Sequence, residues 1–209
     1  MTVAVSRGIR PSFIESVWYA GERRMPVPKR IALIGFRASG KSTLGPIVAR
    51  ALGWRFVDMD EVLSASLGLS IAAWVDRFGW ESFREKETRL LVELSQDDEI
   101  VVATGGGVVE REDNRSVLRE AFFTVWVRCA PEILCRRLAC DEKTAPSRPS
   151  LTGRGVLAEA AEVLARRSPW YEASAHLVLE GDTLSPEALA ACLVRRYAAQ
   201  ADFDRTVSG

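Results

Sequence analysis

KRIALIGFRASGKSTLGPIVARAL, residues 29–52, decides how the rest of the chain is read. Ile31 to Ile34 make an apolar run suited to a buried strand, Gly35 to Gly40 interrupt it, and Leu44, Ile47, Val48 and Leu52 then recur at helical spacing. The order is strand, glycine loop, helix. Within it, Gly35 to Ser42 follow the pattern G-x-x-x-x-G-K-S. In such a loop successive backbone N–H groups turn inward beside the positive end of the helix, which cradles the β-phosphate of a nucleotide. Lys41 adds a mobile charge for the β- and γ-phosphates, and the Ser42 hydroxyl is suited to Mg²⁺. Two local features run against the pattern. Ala38 stands where a third glycine would loosen the loop, and Pro46 removes one backbone donor from the helix.

The 209 residues suit one domain with a sizeable core. Lys+Arg and Asp+Glu are 28 each, so no global field favours nucleic acid or a membrane surface. No apolar run approaches the ~20 residues that cross a bilayer. Residues 1–28 lack a continuous apolar core of the signal-peptide kind and read as an N-terminal extension, 29–199 as a single domain, and 200–209 as a patternless tail. Cys129, Cys135, Cys140 and Cys192 form no C-x-x-C pair and His176 is the one histidine, which argues against zinc and for reduced thiols in the cytoplasm. His176 precedes the apolar Leu177 to Leu179 and reads as a strand-edge residue rather than a catalyst.

After the loop, strands and helices alternate. Trp54 to Val57, Ile100 to Ala103, Phe123 to Val127 and His176 to Leu179 are the further strand candidates, and with the first they imply an α/β fold with a largely parallel sheet. Asp58 and Asp60 leave the second strand two apart. Both then face the crevice beyond the strand ends, one for Mg²⁺ through water and one for a substrate hydroxyl, or one simply caps the next helix. Helices are expected over Glu61 to Leu69, Ile71 to Phe78, Trp80 to Leu94, Asp113 to Ala121, Pro131 to Leu138, Val156 to Arg167, a short piece from Ser168, and Pro186 to Tyr197. Arg84 and Glu87, three apart, read as a solvated face unless an anion lies near, when the pair would fix the guanidinium. Gly105 to Gly107 leave the third strand as bare backbone open to close approach. Residues 139–155 hold Pro146, Pro149, Gly153 and Gly155 without an apolar stripe and read as a surface loop, with Arg148 and Arg154 able to reach a phosphate.

GFRASGKST, DMDE, GLSIAAWV, FGWESFREKE, VVATGGGVV, RPSLTG and RRSPWYEASA stand in the order seen in shikimate kinases, and from about Arg30 to Tyr197 the chain resembles that family. The resemblance implies a nucleoside-monophosphate-kinase-like P-loop NTPase fold: a five-stranded parallel sheet flanked by helices, a substrate-binding subdomain at about 61–94 and a lid at about 139–155. It implies transfer of the γ-phosphoryl group of MgATP to the 3-hydroxyl of shikimate. On it, Gly35, Ala38, Ser39, Gly40, Lys41, Ser42, Thr43, Arg137 and Arg148 would bind ATP, with Ser42 and Asp58 serving Mg²⁺. Asp60, Arg84, Gly105, Gly106, Gly107 and Arg167 would bind shikimate, and Lys41, Asp60 and Arg148 would be catalytic. A monomer is expected, with no nucleic-acid or membrane partner. Trp80 departs from the Glu usual after this glycine, and RPSL from the more frequent RPLL. A kinase for another acid such as gluconate, and a nucleotide-binding regulator without transfer activity, are the two alternative readings.

Overall fold

A computed structural model of the chain describes residues 27–140 and 156–207. The elements run β1 (Arg30–Ile34), α1 (Lys41–Leu52), β2 (Arg55–Asp58), α2 (Met59–Leu67), α3 (Ile71–Leu94), β3 (Ile100–Ala103), a 3₁₀ turn Val108–Glu110, α4 (Glu112–Ala121), β4 (Phe123–Arg128), α5 (Pro131–Cys140), α6 (Val156–Ser174), β5 (Leu177–Glu180) and α7 (Pro186–Val207). The strands form one sheet in the order β2-β3-β1-β4-β5, and every pair is parallel.

Alternation along β1 splits the core in two. Ile31 and Leu33 join Leu44, Val48, Leu189, Leu193 and Tyr197, so α1 and α7 cover one face. Ala32 and Ile34 join Leu91, Leu118, Leu134, Val163 and Tyr171, so α3 to α6 cover the other. A parallel sheet covered on both faces needs strands apolar on both sides, and β1, β3 and β4 have them. Gly45 belongs to this packing. A Cβ there would sit 2.2 Å from the Phe56 ring of β2, so the glycine lets strand and helix close together.

Several boundaries differ from the sequence reading. Gly79, at φ 79° and ψ 165°, breaks α3 where expected, yet the two halves abut as one element. α5 runs on through Ala139 and Cys140, into the segment read as loop. α6 passes through Pro169 rather than stopping at Arg167, with Arg167 and Tyr171 on either side of the proline anchored to the same carbonyl, Gly106 O. α7 continues to Val207, so most of the tail is helix: extending a packed helix avoids the cost of nucleating one. At the other end Val27 packs on the core and Tyr197 donates to Pro28 O at 3.2 Å, so the folded unit begins before residue 29. The rest of the N-terminal extension, residues 1–26, lies outside the described residues. No helix among the described residues is long and apolar enough to cross a membrane.

His176 is built into the sheet. Its backbone N–H donates to Thr124 O at 2.7 Å, its Nδ1 accepts from Thr124 N at 2.9 Å, and its ring stacks on Phe123. Burial pushes the imidazole down to about 4, against a backbone hydrogen bond at Arg119 that favours the proton. The folded chain therefore holds fewer protons than the unfolded one between about pH 4 and 6.5, and stability falls on acidification through that window, on the order of 3 kcal/mol in all. His176→Asn keeps an acceptor for Thr124 without a titrating group. Thermal unfolding midpoints between pH 7 and 4.5 should fall less in this variant than in the parent chain.

Candidate active site

All five strands end at one rim, and there a cleft of about 750 Å³ opens. Lys41, Ser42, Asp58, Asp60, Arg84 and Arg167 all line it. The phosphate loop forms one wall. Gly35 and Gly40 take φ values of 142° and 102°, and Ala38 takes 63°, left-handed backbone that a Cβ disfavours. Lys41 is buried, and its Nζ donates to Gly35 O at 2.9 Å and Phe36 O at 2.8 Å, so the loop wraps its own cation. Arg137, from α5, donates to Ala38 O at 3.3 Å and Gly181 O at 3.1 Å, tying the loop to the turn after β5.

Asp58 serves two neighbours. One oxygen accepts from Asp60 N at 3.0 Å, capping α2, and the other accepts from the Ser42 hydroxyl at 2.5 Å. Hydroxyl and carboxylate are hard oxygen donors on one side of the loop, a set that fits Mg²⁺. Among the described residues no group of three or more His, Cys, Asp or Glu could hold a metal. Asp60 opens to the cleft but stands deep between its walls, and burial there, helped by the charge of Asp58, raises its carboxyl pKa against the pull of Lys41 and Arg84. Because the cleft admits water, the rise is smaller than for a sealed acid.

The opposite wall is built from buried charge. Arg84 is 6% exposed, Arg167 1% and Glu87 0%. Arg84 donates to Glu87 at 2.7 Å and pairs with Glu110 at 3.1 Å, and its guanidinium lies 5.0 Å from the Trp80 ring. Arg167 donates to Glu110 from Nε at 3.0 Å and from a terminal nitrogen at 2.7 Å, and to Gly106 O at 3.1 Å. Tyr171 also donates to Gly106 O, and burial pushes its phenol up to about 12. The glycine run makes room for these groups. A Cβ on Gly107 would lie 1.9 Å from an Arg84 nitrogen, and one on Gly105 would lie 2.6 Å from Glu87 Oε1 and 2.9 Å from Asp60 Oδ1. Burial raises the pKa of Glu87, with Arg84 working against it.

A family model described as shikimate kinase matches residues 37–198. The chain belongs to the shikimate kinase family. Among curated shikimate kinases it is 43% identical to one from Nitratidesulfovibrio vulgaris over 79% of this chain and 91% of that protein. It is 45% identical to one from Oleidesulfovibrio alaskensis over 83% of this chain and 99% of that protein. A solved structure of shikimate kinase from Acinetobacter baumannii in complex with shikimate superposes with a TM-score of 0.76 at 28% identity, over 83% of this chain and 94% of that one.

The residues singled out on the family's pattern come together around one cleft: Ala38, Gly40, Lys41, Ser42, Thr43 and Arg137 on the side of the phosphate loop, and Asp60, Arg84, Gly105, Gly106, Gly107 and Arg167 on the other, with Asp58 between. Gly35 and Ser39 stand behind this wall, Ser39 buried and near the Lys41 amine at 3.4 Å. Arg148, Arg154 and the rest of residues 141–155, most of the segment expected to be a lid, lie outside the described residues. Arg84 and Glu87, read by default as a solvated face, are instead a buried pair. Trp80, the departure from the family's Glu, stacks on Arg84 in place of a carboxylate. Glu110 was missed: in sequence it is one acid after two valines, and the fold alone brings it to arginines 26 and 57 positions away.

Gly107→Ala drives a methyl group into the Arg84 guanidinium, which has to leave its buried partners. Urea unfolding should show a loss of about 1–3 kcal/mol. An unchanged midpoint would show that Arg84 does not fill that space.

Proposed function

We propose that this chain transfers the γ-phosphoryl group of MgATP to the 3-hydroxyl of shikimate, giving shikimate 3-phosphate and ADP. The observation that carries this reading is that Arg84 and Arg167, joined through Glu110, line the same cleft as Lys41 and Asp60. Two guanidinium groups on one carboxylate are what a small polyhydroxy acid needs as a grip. Arg84 Nε is buried without a hydrogen-bond partner among the described residues.

The roles follow from position. Backbone N–H groups of Gly35 to Thr43 cradle the phosphates, and Lys41 leaves its loop carbonyls to follow the γ-phosphoryl group. Arg137 borders the nucleotide side. Ser42, and Asp58 through water, hold Mg²⁺, which when bound offsets phosphate charge. Asp60 accepts the hydroxyl proton as the substrate oxygen bonds to the γ-phosphorus and the bond to the β–γ bridging oxygen breaks, releasing ADP. A carboxyl raised above its usual range is the better base for this. Residues 61–94 form the substrate subdomain. On the family's pattern Arg148, in the segment after α5, is the arginine that would reach the phosphates. We place the enzyme in the cytoplasm as a monomer, a reading that the four free cysteines suit.

ADP release followed by a coupled assay should require both Mg²⁺ and shikimate. Equal release with gluconate or with no acceptor would overturn the assignment. Arg84→Ala and Arg167→Ala should each raise KM for shikimate by about 10–100-fold with ATP affinity near normal. A collapse of ATP affinity would misplace both arginines. Asp60→Asn should lower kcat by about 10²–10⁴-fold, and a change confined to KM would make Asp60 a positioning group only.

A further inference from the structure

Gly79 breaks α3, and the half that follows opens on Trp80. Trp80, Arg84 and Glu87 then recur at spacings of four and three, which puts them on one face of the helix. The neighbours of Arg84 differ in what they present to the cleft. Glu87 and Phe83 are buried, and Glu110 is not among the residues that line the cleft. Gly107 closes another side, where a β-carbon would meet the guanidinium. Trp80 is half-buried and lines the cleft together with Arg84. The Arg84 guanidinium carbon lies over its indole, 5.0 Å from the ring centroid. The indole in turn meets the buried Phe83 ring edge-on, with centroids 6.0 Å apart and planes at 79°, so it is braced from within the core.

The chemistry of the ring suits this place. A carboxylate beside Arg84 would hold it by taking N–H groups that an acid ligand also needs, whereas the face of an indole attracts a guanidinium through its quadrupole and makes no claim on those donors. Arg84 already gives N–H groups to Glu87 and Glu110, so a support of the second kind is the one that leaves the cleft side of the cation to a ligand. We infer that Trp80 is a positioning residue for recognition of the substrate's carboxylate: its ring holds the Arg84 guanidinium at the cleft wall without adding a negative charge there. Trp80 acts through Arg84 and takes no part in phosphoryl transfer. The inference rests on the proposed substrate reading for the identity of the acid, but not for the link between Trp80 and Arg84.

Trp80→Leu keeps an apolar side chain and removes the π face. KM for shikimate should rise about three- to tenfold, with kcat and KM for ATP each within about twofold. Trp80→Phe, which keeps a smaller aromatic face, should fall between the leucine variant and the parent chain. In an Arg84→Ala background Trp80→Leu should add less than about twofold, because the group it acts through is gone. In a separate arm without shikimate or nucleotide, added cyclohexanecarboxylate should raise the thermal midpoint of the parent chain more than that of Trp80→Leu. A KM for shikimate unchanged by Trp80→Leu, the same loss in the Arg84→Ala background, or an equal loss in the phenylalanine and leucine variants overturns the inference and leaves Trp80 a packing residue. An equal response of parent and Trp80→Leu to the carboxylate overturns it as well. If the parent chain fails to phosphorylate shikimate, the substrate reading falls while the cyclohexanecarboxylate arm still decides the role of Trp80.

Discussion

Two guanidinium groups with almost no access to water have to be kept ionised side by side. A buried charge left without a partner costs several kcal/mol, so each arginine must come with an acid, and each acid must come from somewhere the fold can supply. Arg84 gets Glu87 from its own helix, three residues on. Arg167 gets Glu110 from the turn after β3, and Arg84 shares it. The space for this arrangement exists because the backbone between the acids carries no side chains at Gly105 and Gly107. The glycines that looked from the sequence like a seat for a ligand are first a seat for the protein's own ions.

The sheet decides where that cluster sits. With all strands parallel, each carboxyl end lies on the same rim, and the phosphate loop after β1 is flanked by the segment after β3. The arginine wall and the phosphate loop thus share one cleft without any long connection reaching across it. Asp60 falls between them because β2, on the outer side of β3, ends in Asp58 and hands the chain to α2, capped by that same aspartate. One carboxylate therefore serves both local structure and the loop serine.

Much of this was legible beforehand because its signals were local. β1, β3 and β4 are short apolar runs closed by glycine or polar residues, the phosphate loop carries its own spacing, and the break at Gly79 is a glycine in a helical pattern. What escaped depended on distant partners. The passage of α6 through Pro169 is secured by Arg167 and Tyr171 gripping Gly106, sixty-odd positions earlier, which no reading of helix propensity reveals. Glu110 has no pattern to mark it, and its role exists only once β3, α3 and α6 meet. The last turns of α7 were unreadable for the opposite reason: they continue a helix already paid for by packing upstream, and so need no apolar stripe of their own.

Ala38 carries a thermodynamic corollary for the nucleotide. Its left-handed backbone is about 1–2 kcal/mol uphill for a residue with a β-carbon, and it is held by Arg137 gripping its carbonyl from α5. A loop shaped by its surroundings in this way has little conformational entropy left to surrender when phosphates arrive, whereas a slack glycine there would lose that entropy at the moment of binding. The strain is borne by the resting protein, and the ligand meets a mould already set.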